Sequence, residues 1–187
     1  MSGEFEERLR EFTIGEIEPQ AIVIADYYPT WPESFHKEEA RIRATLGDAG
    51  LAVGHVGSTS VPGLAAKPIV DILLAVEDSG NEASYLPALE EAGYVLRVHE
   101  PDFEEHRTFR TPQKDVHVFS AGSKEIRRLL LLRDHLCESE RDRELYARTK
   151  RELANRDWPS VDHYADAKTG VVEGILVRAA AGPSQQD

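Results

Sequence analysis

The chain has 187 residues, a length that fits one domain with a buried core and leaves no room for two independent domains. Hydrophobic residues (41%) and charged residues (30%) stand in the proportion of a globular protein, which excludes global disorder. The formal net charge of -12 excludes broad contact with a nucleic-acid duplex, because such contact needs clustered lysines and arginines to replace counterions.

The apolar segments of the chain are short. The longest, such as 69–76 and 129–132, cannot span a bilayer, and the amino terminus lacks a basic segment followed by an apolar one. We therefore expect a cytoplasmic protein with no membrane partner. Its single cysteine, Cys137, cannot form an internal disulfide, and we expect it to pack within a helix.

The amino-terminal part predicts a leader followed by one helix. Residues 1–19 are rich in glutamate and predict a helical or loose leader outside the main domain, which we expect to span 20–180. A proline at position 32 is typical of a helix start, and the helix predicted from there to about Leu46 is ended by Gly47.

Five strands are predicted in the next part of the chain, which closes at Gly122. The segment 69–76 is nearly all apolar, as expected for a central strand covered on both faces. A helix over 82–92 follows that strand. The other predicted strands are 51–56, 94–98, 106–110 and 116–119.

The part from 123 to 180 is predicted to be helical, with Ser123 as the first N-cap. Further helices are predicted over roughly 140–154 and 162–179, and the tail 181–187 is expected to be disordered. Each of these two helices carries a tyrosine four residues before a lysine, at Tyr146/Lys150 and Tyr164/Lys168, one helical turn apart. The pattern as a whole indicates an α/β protein with a carboxy-terminal helical part.

The strongest chemical signal is a Gly57-Ser58 turn between two predicted strands, the second of which contains Asp71. A glycine and a hydroxyl at a strand end let backbone N–H groups approach phosphate oxygens closely. A carboxylate in an apolar strand is costly unless it is paired, hydrogen-bonded or bound to a metal. Asp71 is therefore a candidate site residue, and the structural alternative is that it caps the 59–60 loop or pairs with Lys67.

Three more residues are candidates for the same site. Lys67 precedes a proline, which holds its backbone extended, so its ammonium is aimed at the loop as a phosphate contact or is a solvated lysine. Asp115 and His117 share one face of their strand. If that strand lies beside the strand of Asp71, the three side chains converge on one cation; otherwise His117 is a core histidine.

Other polar residues lie near this pattern. His55 falls two residues before Gly57, where it lines the pocket or packs against the sheet. Near His106, either Arg107 or Arg110 is placed to meet an anionic substrate, with a surface arginine as the alternative. The chain contains no Ser-His-Asp elbow, Walker loop, Gly-x-Gly-x-x-Gly motif or zinc-ligand spacing.

The run from 55 to 72, HVGSTSVPGLAAKPIVDI, resembles the signature of the GrpB family, small bacterial proteins of unassigned activity. The segment 26–35 resembles the opening segment of that family, and 132–136, 146–150 and 164–168 resemble its helical end. The resemblance covers roughly residues 20–179.

The resemblance implies a nucleotidyltransferase-like fold, a mixed sheet with a helical part, whose members hold divalent cations with an acid-x-acid pair and phosphates with Gly-Ser. In this chain Gly57, Ser58 and the first acid, Asp71, match that pattern. The residues themselves add Lys67 to Asp71 as a catalytic candidate, Asp115 and His117 as further ligands of a Mg²⁺ at Asp71, and Thr59, Ser60 and His55 to the phosphate-binding candidates Gly57 and Ser58. The second acid of the pair is absent, because that position is Leu73; Asp115, His117 or Glu77 is then needed to compensate.

Two functions follow from this set of residues. The first is metal-assisted nucleotidyl or phosphoryl transfer with phosphates at Gly57-Ser58. The second is a module that binds a nucleotide or another phosphorylated small molecule, or a protein, without catalysis. The residues alone leave both open, and they name neither a substrate nor a protein partner.

Overall fold

The structure is a computed structural model that describes residues 3–17, 19 and 21–182. Within these residues, the helices are α1 (Gly3–Phe12), α2 (Trp31–Leu46), α3 (Leu86–Glu91), α4 (Lys124–Glu138), α5 (Glu140–Ala154), α6 (Val161–Asp166) and α7 (Thr169–Ala181). The strands are β1 (Ala52–Val56), β2 (Val70–Val76), β3 (Val95–Glu100), β4 (His106–Thr111) and β5 (Lys114–Ser120).

The five strands form one mixed sheet in the order β1-β2-β5-β4-β3. Only β2 and β5 run parallel among these strands, and the other neighbours are antiparallel. The apolar β2 therefore lies inside the sheet, as its composition predicts. Asp71 on β2 pairs in register with Asp115 on β5, so the two carboxylates leave the sheet on the same face.

One face of the sheet carries the main core. The alternate β2 residues Ile72 and Leu74 are fully buried there against Phe35 and Ile42 of α2, with Tyr85 beside α3 closing the far side. Alternation along β2 and helical spacing along α2 bring these side chains together. This layer holds the sheet but contributes nothing to the polar residues on the other face.

The second face is divided between a helix and a cleft. At one end, α4 covers an apolar cluster in which Leu73 is buried with Val56 and Phe119. At the other end, the helical part stands off the sheet, and a second cluster built on Leu136 and Tyr146 joins it to the 61–64 loop. The polar side chains of β2, β4 and β5 consequently face an open space.

The helical leader packs on the domain instead of lying outside it. Leu9 of α1 is fully buried, Thr13 forms a bridge with Val98 of β3, and the backbone N–H of Ile14 donates to the carbonyl of Arg97 at 2.8 Å. Glu6 also reaches His163 of α6. These contacts attach α1 to both the sheet and the helical part.

Three predicted elements differ from the structure. The helix expected over 82–92 is a 3₁₀ turn (Glu82–Ser84) followed by the short α3, which has Pro87 in its first turn. The helix expected over 162–179 is two helices, α6 and α7. Cys137 is exposed, because the adjacent Leu136 takes the buried position. The predicted disordered tail lies outside the described residues from 183 onward.

No helix among residues 3–17, 19 and 21–182 is long and apolar enough to cross a membrane.

Candidate functional site

A cleft of about 600 Å³ opens between the polar half of the sheet and helices α1, α5 and α6. Its floor is formed by the beginnings of the parallel strands β2 and β5 and by β4 beside them. This volume falls in the range of sites that hold small organic ligands. The residues that line the floor are Asp71, Asp115, His117, Thr108 and Arg110.

The Gly57-Ser58 turn forms one wall of the cleft. Gly57 has φ 68° and ψ -170°, a conformation open essentially to glycine alone. A Cβ atom at this position would lie 2.1 Å from Oδ2 of Asp71, so the turn needs glycine for space as well. The carboxylate of Asp71 and the backbone of the turn are therefore in direct contact.

Asp71 and Asp115 are adjacent in register, and His117 completes the group, with Nε2 3.7 Å from Oδ1 of Asp71. Burial raises the pKa of Asp115, and the negative charge of Asp71 raises it further. The positive charge of Arg110 opposes both effects. Burial alone lowers the pKa of His117, but the carboxylates of Asp71 and Asp115 raise it above its usual value. Two neighbouring carboxylates thus favour a positive charge between them.

A chain of hydrogen bonds extends from His117 away from Asp71. Nδ1 of His117 lies 3.2 Å from Nε2 of His106, whose Nδ1 lies 2.7 Å from a carboxylate oxygen of Glu100. Burial lowers the pKa of His106. A neutral His106 donates a hydrogen bond to Glu100 through Nδ1–H and accepts one at Nε2 from Nδ1–H of His117, which orients the ring of His117 with Nε2 towards Asp71.

The opposite wall supplies cations. Lys150 is only 2% exposed, yet it lines the cleft, and its ammonium lies 4.5 Å from the centre of the Tyr146 ring. Lys168 stacks over Tyr164 at the same distance and lines the cleft as well. The two tyrosine–lysine spacings in the sequence therefore converge on one cavity, each as a cation–π pair.

Burial governs the protonation of the lysines in the cleft. It lowers the pKa of Lys150 to about 7, and the charge of Lys168 acts in the same direction. It also lowers the pKa of Lys67, against the opposing charges of Asp115 and Asp71. None of these three lysines forms a salt bridge with another described residue. The Lys150 ammonium donates to the Ala65 carbonyl, which leaves two of its three protons for other acceptors.

Two further polar atoms of cleft residues are buried without a hydrogen-bond partner among the described residues, Oη of Tyr164 and Nε of Arg110. Arg110 Nε lies 3.4 Å from Asp115, close enough for an ion pair but not aligned for a hydrogen bond. Buried polar atoms are normally paired, so an unpaired atom on a cavity wall points to a bound acceptor or donor.

Several predicted residues lie elsewhere. His55 pairs with Ile72 and stacks on Phe35 at 4.8 Å, so it belongs to the core face and not to the cleft. Thr59 is buried and lies 3.0 Å from His55 Nε2, and Ser60 donates to the Gly57 carbonyl; neither lines the cleft. Only Gly57 and Ser58 of the predicted phosphate-binding set lie on its surface.

The arginine alternatives are resolved by burial and position. Arg107 is buried and paired with Glu82 and Glu105, whereas Arg110 lines the cleft. Glu77 follows the far end of β2 and cannot replace the missing acid.

Asp71 and Asp115 are better suited to a cation that is shared with a bound ligand than to a metal centre formed by protein side chains alone. In the part of the chain that the structure describes, no group of three or more His, Cys, Asp or Glu side chains is placed to hold a metal ion. His117 is near Asp71 as predicted, but its raised pKa favours the protonated ring, which cannot ligate a metal. Mg²⁺ is commonly held by one or two carboxylates together with substrate phosphates, and Asp71 with Asp115 suits that pattern.

Part of the site has only a weak signal in the sequence. For Lys150 and Lys168 that signal is the repeated spacing from a tyrosine, which indicates that the two lysines share a role. Glu100 and Thr108 gave no signal of their own, since their roles depend on strand pairing. Arg8 belongs to a glutamate-rich segment that the composition alone assigns to the solvent.

Comparisons of the sequence and of the structure with known proteins both find GrpB proteins. A sequence profile of the GrpB protein matches residues 21–178. A UPF0157 protein of Halalkalibacterium halodurans is 52% identical over 180 residues, covering 94% of this chain and 92% of that protein. The crystal structure of the conserved protein GrpB from Enterococcus faecalis is 31% identical, covers 84% of this chain and 96% of its own, and has a TM-score of 0.73.

A more distant likeness concerns the fold alone. A chain in the structure of the GLD-2/RNP-8 complex is 14% identical, covers 99% of this chain and 67% of its own, and has a TM-score of 0.54. Together with the mixed five-stranded sheet, this likeness identifies the fold as nucleotidyltransferase-like.

Proposed function

The chain belongs to the GrpB family, and we propose that its cleft binds a nucleotide or another phosphorylated small molecule. The observation that carries this proposal is the meeting in one cavity of a glycine turn and three lysines that form no salt bridge within residues 3–17, 19 and 21–182. Phosphate oxygens accept hydrogen bonds from backbone N–H groups and from ammonium groups, and a buried ammonium gains most from such a partner.

The ligand is placed by the charges of the two walls. Its phosphates lie between the Gly57-Ser58 turn and the side chains of Lys67, Lys150 and Lys168. Arg110 remains beside Asp115 in the lining of the cleft. A nucleic-acid duplex is no part of this proposal, since the whole chain carries a net charge of -12.

One Mg²⁺ belongs to the proposal, held by the carboxylates of Asp71 and Asp115 and by phosphate oxygens of the ligand. When bound, it neutralises phosphate charge and relieves the repulsion between the two carboxylates. His117, whose pKa the carboxylates of Asp71 and Asp115 raise, lies beside Asp71 and holds that carboxylate in place. The position that would supply the second acid of the acid-x-acid pair is Leu73, which is buried under α4, so the proposal includes one cation only.

Lys150 gives the proposal a pH dependence. Its pKa of about 7 leaves it mostly neutral at pH 8, and a bound phosphate raises that pKa by favouring the charged form. We therefore expect ligand binding to take up close to one proton at pH 8 and much less at pH 6, and the affinity to fall as pH rises above 7. Calorimetric titration with ATP in buffers of different ionisation enthalpy measures this uptake.

The control for this experiment lies on the same helix. Lys150→Met keeps a long side chain over Tyr146 and removes the charge, so we expect it to lose the proton uptake and to bind ATP roughly tenfold more weakly. Arg148→Met removes one positive charge from an exposed position of α5 and should behave as the wild type. Equal proton uptake by the wild type and Lys150→Met would remove Lys150 from the site.

A second candidate function is metal-assisted transfer of a nucleotidyl or phosphoryl group to a hydroxyl acceptor. The observation in its favour is the register of Asp71 with Asp115 and the contact of His117 with Asp71, which gather the acid–base groups beside the turn. Lys67 then stabilises the negative charge that develops on the phosphate. The signature of this function is a release that depends on both magnesium and Asp115: pyrophosphate leaves in nucleotidyl transfer, and the nucleoside diphosphate leaves in phosphoryl transfer to the acceptor hydroxyl.

A further inference from the structure

The cleft has an aromatic side that the proposed phosphate site does not use. Phe5 and Phe12 line it from α1, and Phe103 lines it from the turn between β3 and β4. Phe103 is 41% exposed, and Phe5 and Phe12 are partly exposed. Among the described residues, none of the three belongs to the apolar clusters that form the core.

The position of α1 gives these side chains a fixed place. Phe5, Leu9 and Phe12 recur at the spacing of one helix face, and the fully buried Leu9 between the two phenylalanines anchors that face. Phe5 also packs edge-on against His163, with ring centres 5.1 Å apart. Partly exposed rings held in this way provide a rigid apolar surface at low cost in conformational entropy.

The family profile begins at residue 21, so α1 adds to the cleft from outside the matched region. The cavity lining thus includes phenylalanine rings as well as the glycine turn and the lysines. A ligand that satisfies both parts of the lining has an anionic group and a flat aromatic group. A nucleotide has both groups, and its size is compatible with a cavity of about 600 Å³.

We propose that Phe5, Phe12 and Phe103 form a base-binding wall that selects nucleotides over phosphate-containing ligands without an aromatic ring. This inference rests on the proposed function and specifies which phosphorylated ligands the cleft prefers. Aromatic rings stack on any nucleobase, because every base has a π face, and the contact is worth roughly tenfold or more in affinity. Phenylalanine has no hydrogen-bonding group, so the wall distinguishes a base from no base and favours the larger purine surface.

The test compares ATP with inorganic tripolyphosphate, which carries the same phosphate groups without a base. Calorimetric titration of the wild type, Phe5→Ala, Phe12→Ala and Phe103→Ala should show ATP affinity falling about tenfold in the variants. Tripolyphosphate affinity should stay unchanged. Val177→Ala, at a position of α7 that is 69% exposed, is the control and should leave both affinities unchanged.

The variants also separate binding from folding. Phe103 lies in a turn and is 41% exposed, so Phe103→Ala should retain the thermal stability of the wild type even if the α1 variants lose some. Equal losses of affinity for ATP and tripolyphosphate, or an ATP affinity that is unchanged in all three variants, would contradict the base-binding wall. Either result would still be consistent with the proposed phosphate site. Failure of the wild type to bind either ligand would overturn the proposed function and this inference with it.

Discussion

Replacing Gly57 by alanine should abolish ligand binding and lower the free energy of unfolding by about 3–4 kcal/mol. The backbone conformation at φ 68° and ψ -170° costs a residue with a side chain roughly 1–3 kcal/mol. The new Cβ would also lie 2.1 Å from Oδ2 of Asp71 and 2.8 Å from its Cβ, so the strand must move, which costs a similar amount. Urea unfolding and ATP titration measure the two effects.

Gly63→Ala is the matched control for this change. Gly63 lies in the same loop with φ 78°, but a Cβ there meets no atom within 4 Å. It should therefore show only the backbone cost, about 1 kcal/mol, and keep ligand binding. If Gly57→Ala and Gly63→Ala lose the same stability and both still bind ATP, the close contact between the turn and Asp71 has no role in binding.

The second large effect is expected for Leu73→Asp, the substitution that restores the missing acid of the acid-x-acid pair. Leu73 is 4% exposed and lies in the apolar cluster under α4 with Val56 and Phe119. Truncating such a leucine costs about 2–5 kcal/mol, and burying an unpaired carboxylate adds to that cost. We expect a loss of at least about 4 kcal/mol, or a melting temperature lower by roughly 8–16 °C.

Leu73→Met conserves volume and should lose less than about 1.5 kcal/mol. Neither variant should bind a second magnesium ion in calorimetric titration. If Leu73→Asp were as stable as the wild type and gained a magnesium site, the position would face the cleft instead of the core. The loss of the acid-x-acid pattern at position 73 would then be a single reversible substitution.

Much of the site was predictable because it depends on local pattern. A glycine turn between two strands and an acid in an apolar strand are visible in the sequence, and alternation places Asp115 and His117 on one face. Their approach to Asp71 needed one further fact, that β5 pairs with β2 although they are distant in sequence. That pairing is set by the tertiary fold, and no periodicity contains it.

His55 illustrates how alternation fails without the fold. The sequence places it on the face that residue 57 would occupy, but the cleft lies on the face of Val56, and His55 stacks on Phe35 in the core. Gly57 reaches Asp71 only because its positive φ turns the chain out of the strand. The sequence of the strand alone therefore does not indicate which of its two faces lies towards the cleft.

The amino-terminal helix shows a different limit. Its glutamates dominate the composition of residues 1–19, yet three apolar residues on one face decide that it packs on the sheet. The spacing of Phe5, Leu9 and Phe12 was the available signal. Likewise, the break between α6 and α7 is a feature that the continuous helical pattern over 162–179 does not indicate.

The decisive measurement is calorimetric titration with the four ribonucleoside triphosphates, in magnesium and in chelator, of the wild type and Asp71→Asn. Asp48→Asn, an exposed change of the same charge, is the control, and released phosphate is quantified in the same samples. We predict that magnesium strengthens wild-type binding about tenfold or more and that Asp71→Asn removes this gain while Asp48→Asn keeps it. No binding of any triphosphate, or binding that is indifferent to both magnesium and Asp71, would contradict a phosphate site built on the Gly57 turn.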